Sequence, residues 1–180
     1  MDATSSLEFA GVPDPFQRLW TPHRMAYVGG SEKPATSEST DCPFCRAPSV
    51  SDEEGLVVFR GEHSFVLMNL FPYNSGHLLI CPYRHVSWYP DLTVEERDEI
   101  SALTAQAMKV LTKVVNAQGI NLGMNQGEVA GAGIAAHLHQ HVVPRYGGDA
   151  NFLPIIARTK AVPQLIEDAR RLLVEYWESV

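Results

Sequence analysis

The chain has 180 residues, enough for one domain that buries a core of its own. Its 45% hydrophobic and 19% charged residues are ordinary for a soluble globular protein, and its formal net charge of −7 excludes the broad basic footprint of non-specific nucleic-acid binding. No run of about 18 apolar residues is present to span a bilayer.

The N-terminus, MDATSSLEFAGVPDPF, lacks the basic and apolar regions of a secretory leader. Residues 1–14 read as a loose arm. Phe16, Leu19 and Trp20 then recur at helix-like spacing before Pro22, which predicts a short helix or turn. Residues 29–41, GGSEKPATSESTD, have the composition of a flexible linker, so 1–41 is read as arm and linker and 42–180 as the functional domain. The linker runs into CPFC. With three cysteines in all (Cys42, Cys45 and Cys81), a disulfide framework is excluded and a reducing, cytoplasmic compartment is expected.

Three apolar runs bounded by Gly, Pro and Asn follow, at 56–59, 64–70 and 77–83, and they predict strands. FPYNSG between the last two is a turn. DLTVEERDEISALTAQAMKVLTKVVNAQG predicts a long helix: Thr93 and Glu96 form a capping box, Ile100, Leu103, Ala107, Val110, Leu111 and Val114 recur at helical spacing, and Gly119 is placed at its end. Strands are expected at 120–127 and 136–144, joined by a Gly/Ala-rich segment. A C-terminal helix follows, with Pro163 near its start and Leu165, Ala169, Leu172 and Leu173 on one face. About five strands with segregated helices make an α+β domain with a mainly antiparallel sheet.

HLHQHVVP, residues 137–144, places three of the chain's seven histidines at alternate positions. On a strand His137, His139 and His141 share one face, and Leu138, Gln140 and Val142 the other. Three imidazoles in a row repel when protonated and waste burial when neutral, whereas groups titrating near neutrality suit phosphate chemistry or metal binding. Two thiolates spaced as in Cys42-x-x-Cys45 can share one tetrahedral zinc, and no thioredoxin-like pattern surrounds them. Cys81, inside an apolar run, reads as core, and His23 and His63 as surface residues.

HLHQHVV resembles the histidine-triad (HIT) motif, with Gln140 where an apolar residue is usual. NLFPYNSGHLLICPYRHV resembles the upstream block of that superfamily, GMNQGEVAGAGIAAH its glycine-rich approach to the triad, and VPRYGGDANFLPIIARTKAVP the extension of the bacterial branch related to diadenosine tetraphosphate phosphorylases. The resemblance implies a HIT-like fold, homodimerisation through the long helix and sheet edge, and nucleotidyl transfer through a covalent nucleotidyl-histidine. His139 would be the nucleophile, and His141 and His77 its phosphate-binding partners. It places Asn69 on the ribose and Asn125, Gln126, Gly127 and Gly133 along the phosphate path. In zinc-bearing members a histidine after the Gly-His strand and the first triad histidine complete the metal site, which implies Cys42, Cys45, His85 and His137 as structural zinc ligands. The other reading of those four is reduced thiols, with His137 on phosphate.

Some hydrolases of the superfamily carry a glutamine where Gly133 stands, so this chain leaves room for another acceptor. The expected reaction is phosphorolysis of diadenosine tetraphosphate by inorganic phosphate to ATP and ADP. Hydrolysis of dinucleoside polyphosphates or nucleoside phosphoramidates is the alternative, and a non-catalytic, zinc-stapled nucleotide-binding module is the third.

Overall fold

In the computed structural model, which describes residues 42–149 and 165–180, five strands form one sheet in the order β1-β2-β3-β5-β4, every neighbouring pair antiparallel. They are β1 Val57–Arg60, β2 Ser64–Met68, β3 Leu78–Pro82, β4 Gly119–Met124 and β5 Gln140–Arg145. Three helices accompany them: α1 Pro43–Arg46, α2 Val94–Val114 and α3 Ile166–Tyr176. This is the α+β architecture the sequence predicts. The arm, the short helix near Trp20, the 29–41 linker, Pro163 and His23 lie outside the described residues.

Side-chain alternation sorts the strand residues into two apolar clusters. Val66, Met68, Leu78, Ile80, Leu138 and Val142 pack under Ile100, Leu103, Ala107, Val110 and Leu111 of α2 and Ala169 and Leu173 of α3. The intervening Phe65, Leu67, Leu79 and Cys81 face the opposite side, onto Cys42, Phe44 and Ala47. Full burial of such a Leu, Ile or Phe contributes about 1.5–3 kcal/mol. The second cluster seats α1 against the sheet, beside the histidine row.

α2 begins as expected, with both bonds of the Thr93–Glu96 capping box made. Its end differs. The helix stops at Val114, Asn116 turns the chain at φ 56°, and the Ala117 N–H bonds the Leu111 carbonyl. Asn tolerates the left-handed region, so Gly119 is not needed there and opens β4 instead.

β5 also starts later than the pattern suggests, at Gln140 rather than 136. Residues 137–139 lie before its ladder, and the Leu138 N–H reaches the Val86 carbonyl at 2.7 Å, beyond the end of β3. Alternation still holds. Leu138 and Val142 enter the α2 cluster and Gln140 bonds Thr104, while the histidines face away. In α3, Leu165 is not on the buried face. It is the N-cap and is 73% exposed, while Arg170 is buried and donates to the Val57 carbonyl at 3.0 Å and to Glu167.

Candidate active site and metal centre

His141 lies within the sheet, opposite Leu79 of β3 and Gly123 of β4. A methyl group at Gly123 would meet nothing within 4 Å, so β4 is open at this position. A groove of about 450 Å³ runs along this face, lined by Tyr73, Asn74, Gly123, Asn125, His141 and Arg145 among others.

His77 sits directly behind His141. Gly76, at φ +81°, turns the loop into β3, and the His77 ring that follows is fully buried. Its Nδ1 accepts the Tyr73 backbone N–H at 3.0 Å and lies 3.3 Å from the Asn69 amide nitrogen. In a neutral ring the proton is therefore on Nε2, which faces His141 Nδ1 at 3.0 Å. His141 then carries its own proton on Nε2. The Tyr73 ring stacks on His141, with centroids 5.4 Å apart at 16°. Both ring nitrogens of His77 are thus engaged within the protein, one of them by His141.

His139 is buried, and burial lowers its pKa below the ordinary 6.5, against a smaller opposing effect of its hydrogen bond. Its Nδ1 is 2.8 Å from the His137 carbonyl. A carbonyl only accepts, so Nδ1 carries the proton and the lone pair that can attack an electrophile lies on Nε2. Phe44 and His141 flank the ring, at centroid distances of 4.8 and 5.0 Å.

His137 points elsewhere. Its Nε2–H donates to the Pro82 carbonyl at 2.9 Å, which turns the Nδ1 lone pair onto Cys42 and Cys45 Sγ, each at 3.4 Å. His85 Nδ1 is 3.2 Å from Cys45 Sγ, and one ligand atom from each of the four residues lies within 4.8 Å of every other. Around a tetrahedral zinc of ordinary bond lengths, a sulfur and a nitrogen ligand are about 3.5 Å apart. The donor set, the spacing and the carbonyl behind His137 all fit such an ion. Burial and the neighbouring Cys42 push the Cys45 thiol up to about 11, and burial depresses His137 to about 4, so at neutral pH the imidazole already has the form that binds metal.

The remaining predicted residues fall into two groups. Asn125 lines the groove with His141. Asn69 is half-buried beside His77, its side-chain oxygen accepting the Phe71 N–H. Gln126 instead receives the Tyr89 N–H at 2.7 Å, Gly127 turns at φ +81° below Trp88, and Gly133 lies in the bend before His137. Cys81 is core, as expected, and His63 is partly exposed. Sequence reasoning missed Tyr73, Phe44, Asn74 and Asp149. Tyr73 and Asn74 sit in what reads as a turn, Phe44 is hidden between two cysteines, and Asp149 accepts from Arg145 and the Tyr146 N–H nearby as well as from Asn74 across the fold.

An antiparallel α+β domain with a histidine row on one face defines a class, and the chain belongs to the HIT domain family, whose profile matches residues 51–148. The match begins after the CPFC pair. Over 170 residues, 93% of this chain and 87% of the relative, the sequence is 49% identical to the AP-4-A phosphorylase of Mycobacterium tuberculosis. It is 36% identical over 89 residues, 49% of this chain and 59% of the relative, to a bis(5'-adenosyl)-triphosphatase of Dictyostelium discoideum. The crystal structure of a Zn-bound histidine triad family protein from Mycobacterium smegmatis superposes with a TM-score of 0.64 at 24% identity, covering 79% of this chain and 96% of that one, which establishes the shared fold.

Proposed function

We propose that the protein is a nucleotidyl-transferring enzyme that cleaves diadenosine tetraphosphate with inorganic phosphate to give ATP and ADP. The observation that carries this reading is the state of His139: buried, its pKa lowered, tied through Nδ1 to a main-chain carbonyl so that its lone pair lies on Nε2, with the His141 ring 5.0 Å away. The likeness to an AP-4-A phosphorylase over 93% of the chain supports this choice of substrate and of phosphate as acceptor.

His139 Nε2 attacks the α-phosphorus of one adenosine. A P–N bond forms, the bond to the bridging oxygen breaks, and ATP departs with that electron pair. In this reading His141 donates its Nε2–H to a phosphate oxygen and stabilises the charge there, with His77 fixing its orientation. In the second step an oxygen of inorganic phosphate attacks the same phosphorus, the P–N bond breaks toward Nε2, and ADP leaves. Asn69 binds the ribose, and Asn125, Gln126 and the turn from Gly127 to Gly133 line the phosphate path.

Cys42, Cys45, His85 and His137 hold Zn²⁺. Four protein donors leave no open position, so the ion serves as a cross-link between α1 and the histidine row. Residues 42–180 form the catalytic domain. Three cysteines outside any disulfide suit a reducing, cytoplasmic setting, and among the described residues no helix is long and apolar enough to cross a membrane. The edge strand β4, with Leu122 exposed, and the Met108 face of α2 supply the surface of a homodimer.

Product analysis with and without phosphate tests the reaction: ADP must accumulate when phosphate is supplied. AMP and ATP as the only products would assign hydrolysis, and unchanged turnover by His139→Ala would eliminate the covalent route. Metal analysis of the wild type against Cys42→Ala tests the zinc site.

A further inference from the structure

Phe44 is the one aromatic residue between the two cysteines of CPFC, and it touches both halves of the site. Its ring meets His137 edge-on, with centroids 5.7 Å apart at 75°, and lies tilted against His139 at 4.8 Å and 42°. It is 7% exposed and belongs to a four-residue helical turn whose Cys45 and Arg46 N–H groups both bond the Cys42 carbonyl. The turn is too short to hold its own shape. What fixes it is its apolar seat on β2 and β3 and the convergence of Cys42 and Cys45 on His137 and His85.

The His139 ring has two soft torsions. Its Nδ1 tether to the His137 carbonyl restricts them without fixing the ring plane. The plane is set by the two ring walls in contact with it: Phe44, tilted at 42°, and His141, edge-on at 68°. The His141 wall is itself locked by His77. The Phe44 wall is only as firm as the turn that carries it.

We propose that Phe44 is a positioning residue that couples the Cys42–Cys45–His85–His137 cluster to the nucleophile. With metal bound, the turn is rigid and Phe44 holds the His139 Nε2 lone pair on the line of attack. Without metal, the turn loosens and the imidazole swings. The bond that suffers is the P–N bond formed in the first step, because small misplacements of reacting atoms cost large factors in rate. The ion then has a role in catalysis while touching no substrate. The coupling rests on the reading of His139 as nucleophile, but the ordering of its ring does not.

The test is a coupling cycle on the holoprotein, crossing Phe44→Leu with removal of metal by a chelator. Metal content, kcat and KM are measured, together with the ring ¹H–¹⁵N correlations of His139, assigned by His139→Gln. Phe44→Leu should keep its zinc, lose about tenfold to a hundredfold in kcat with KM little changed, and show broadened His139 ring signals. Chelation should impose a similar loss on the wild type but add little to Phe44→Leu. Equal chelation effects in both proteins, or sharp, unshifted His139 signals in zinc-loaded Phe44→Leu, would overturn the proposal. Should that variant lose its metal, Phe44→Met repeats the measurement. Loss of metal from both assigns Phe44 to the folding of the knuckle and overturns it as well. A wild type that forms no nucleotidyl-His139 defeats the proposed reaction, and the ring signals still decide the coupling.

Discussion

His77 Nε2 and His141 Nδ1 face each other at 3.0 Å inside the protein, and a backbone donor decides which of them holds the proton between them. The Tyr73 N–H occupies His77 Nδ1, so His77 donates and His141 accepts. A main-chain amide cannot reverse its direction, which makes this arrangement firmer than one built from side chains alone. Its outcome is a proton on the His141 nitrogen remote from His77.

Replacing His77 by Phe removes that instruction and lets His141 adopt either tautomer. The expected result is a fall in kcat of about ten- to a hundredfold, with a smaller change in KM. His77→Gln, which retains an N–H that can donate to His141, should recover part of the loss. Steady-state kinetics of the two variants check this. Equal kcat values would mean that packing, not the proton, is what His77 supplies.

His139 must be neutral to attack, and its pKa is lowered by burial. The acid limb of the pH–rate profile for nucleotidyl-histidine formation should therefore fall below pH 6.5, the ordinary histidine value. The sign is fixed: protonation on acidification removes the nucleophile, and a depressed pKa moves that loss to lower pH. A single-turnover pH series measures it. A limb centred at or above 6.5 would show that another group controls the step.

Much of this was legible in the residues themselves. Strict alternation of His137, His139 and His141 announced a shared face, and Thr93 with Glu96 fixed the start of α2, because both signals depend on neighbours in sequence. The division of labour among the histidines is set by main-chain partners: the Pro82 carbonyl, 55 residues from His137, and the Tyr73 amide, 4 residues before His77. Backbone groups carry no residue-type signature, so no motif reveals them. Leu165 was misplaced, and the burial of Arg170 went unread, for a related reason. Helical spacing marks an apolar stripe, but the open Val57 carbonyl that accepts from Arg170 exists only once β1 is in place.

Asn74 donates to both the Pro144 carbonyl and the Asp149 carboxylate, at 3.0 and 2.8 Å, which ties the 71–76 loop to the end of β5. Asp149 is held well below the usual carboxylate range by Arg145, with the Tyr146 N–H and Asn74 adding to the effect. Because the loop carries the Tyr73 N–H, Asn74→Ala should loosen His77 as well as cost about 1–3 kcal/mol for the buried groups left unpaired. Asp149→Ala should lower kcat in the same direction, and the double variant should be no worse than the poorer single one. Thermal unfolding and kcat across the four proteins give the coupling; additive losses would separate the two residues.

Glu96 is 5% exposed at the start of α2. It accepts the Thr93 N–H and two bonds from Arg84, whose guanidinium also reaches the Asp91 carbonyl. Arg84 precedes His85, so the clamp steadies the segment that presents a proposed metal ligand. The Arg84 hydrogen bonds lower the Glu96 pKa from its ordinary 4.5, outweighing the cost of burial. A carboxylate with a depressed folded pKa contributes stability above its unfolded pKa and loses it as pH falls through the folded value. Glu96→Gln should therefore cost about 1–2 kcal/mol at pH 7. Its deficit against the wild type should shrink as the pH drops below 4.5, where the wild-type carboxylate becomes protonated too. Denaturant unfolding of both proteins between neutral pH and acid checks the convergence. A deficit that stays constant over the whole range would place the effect of Glu96 in shape rather than charge.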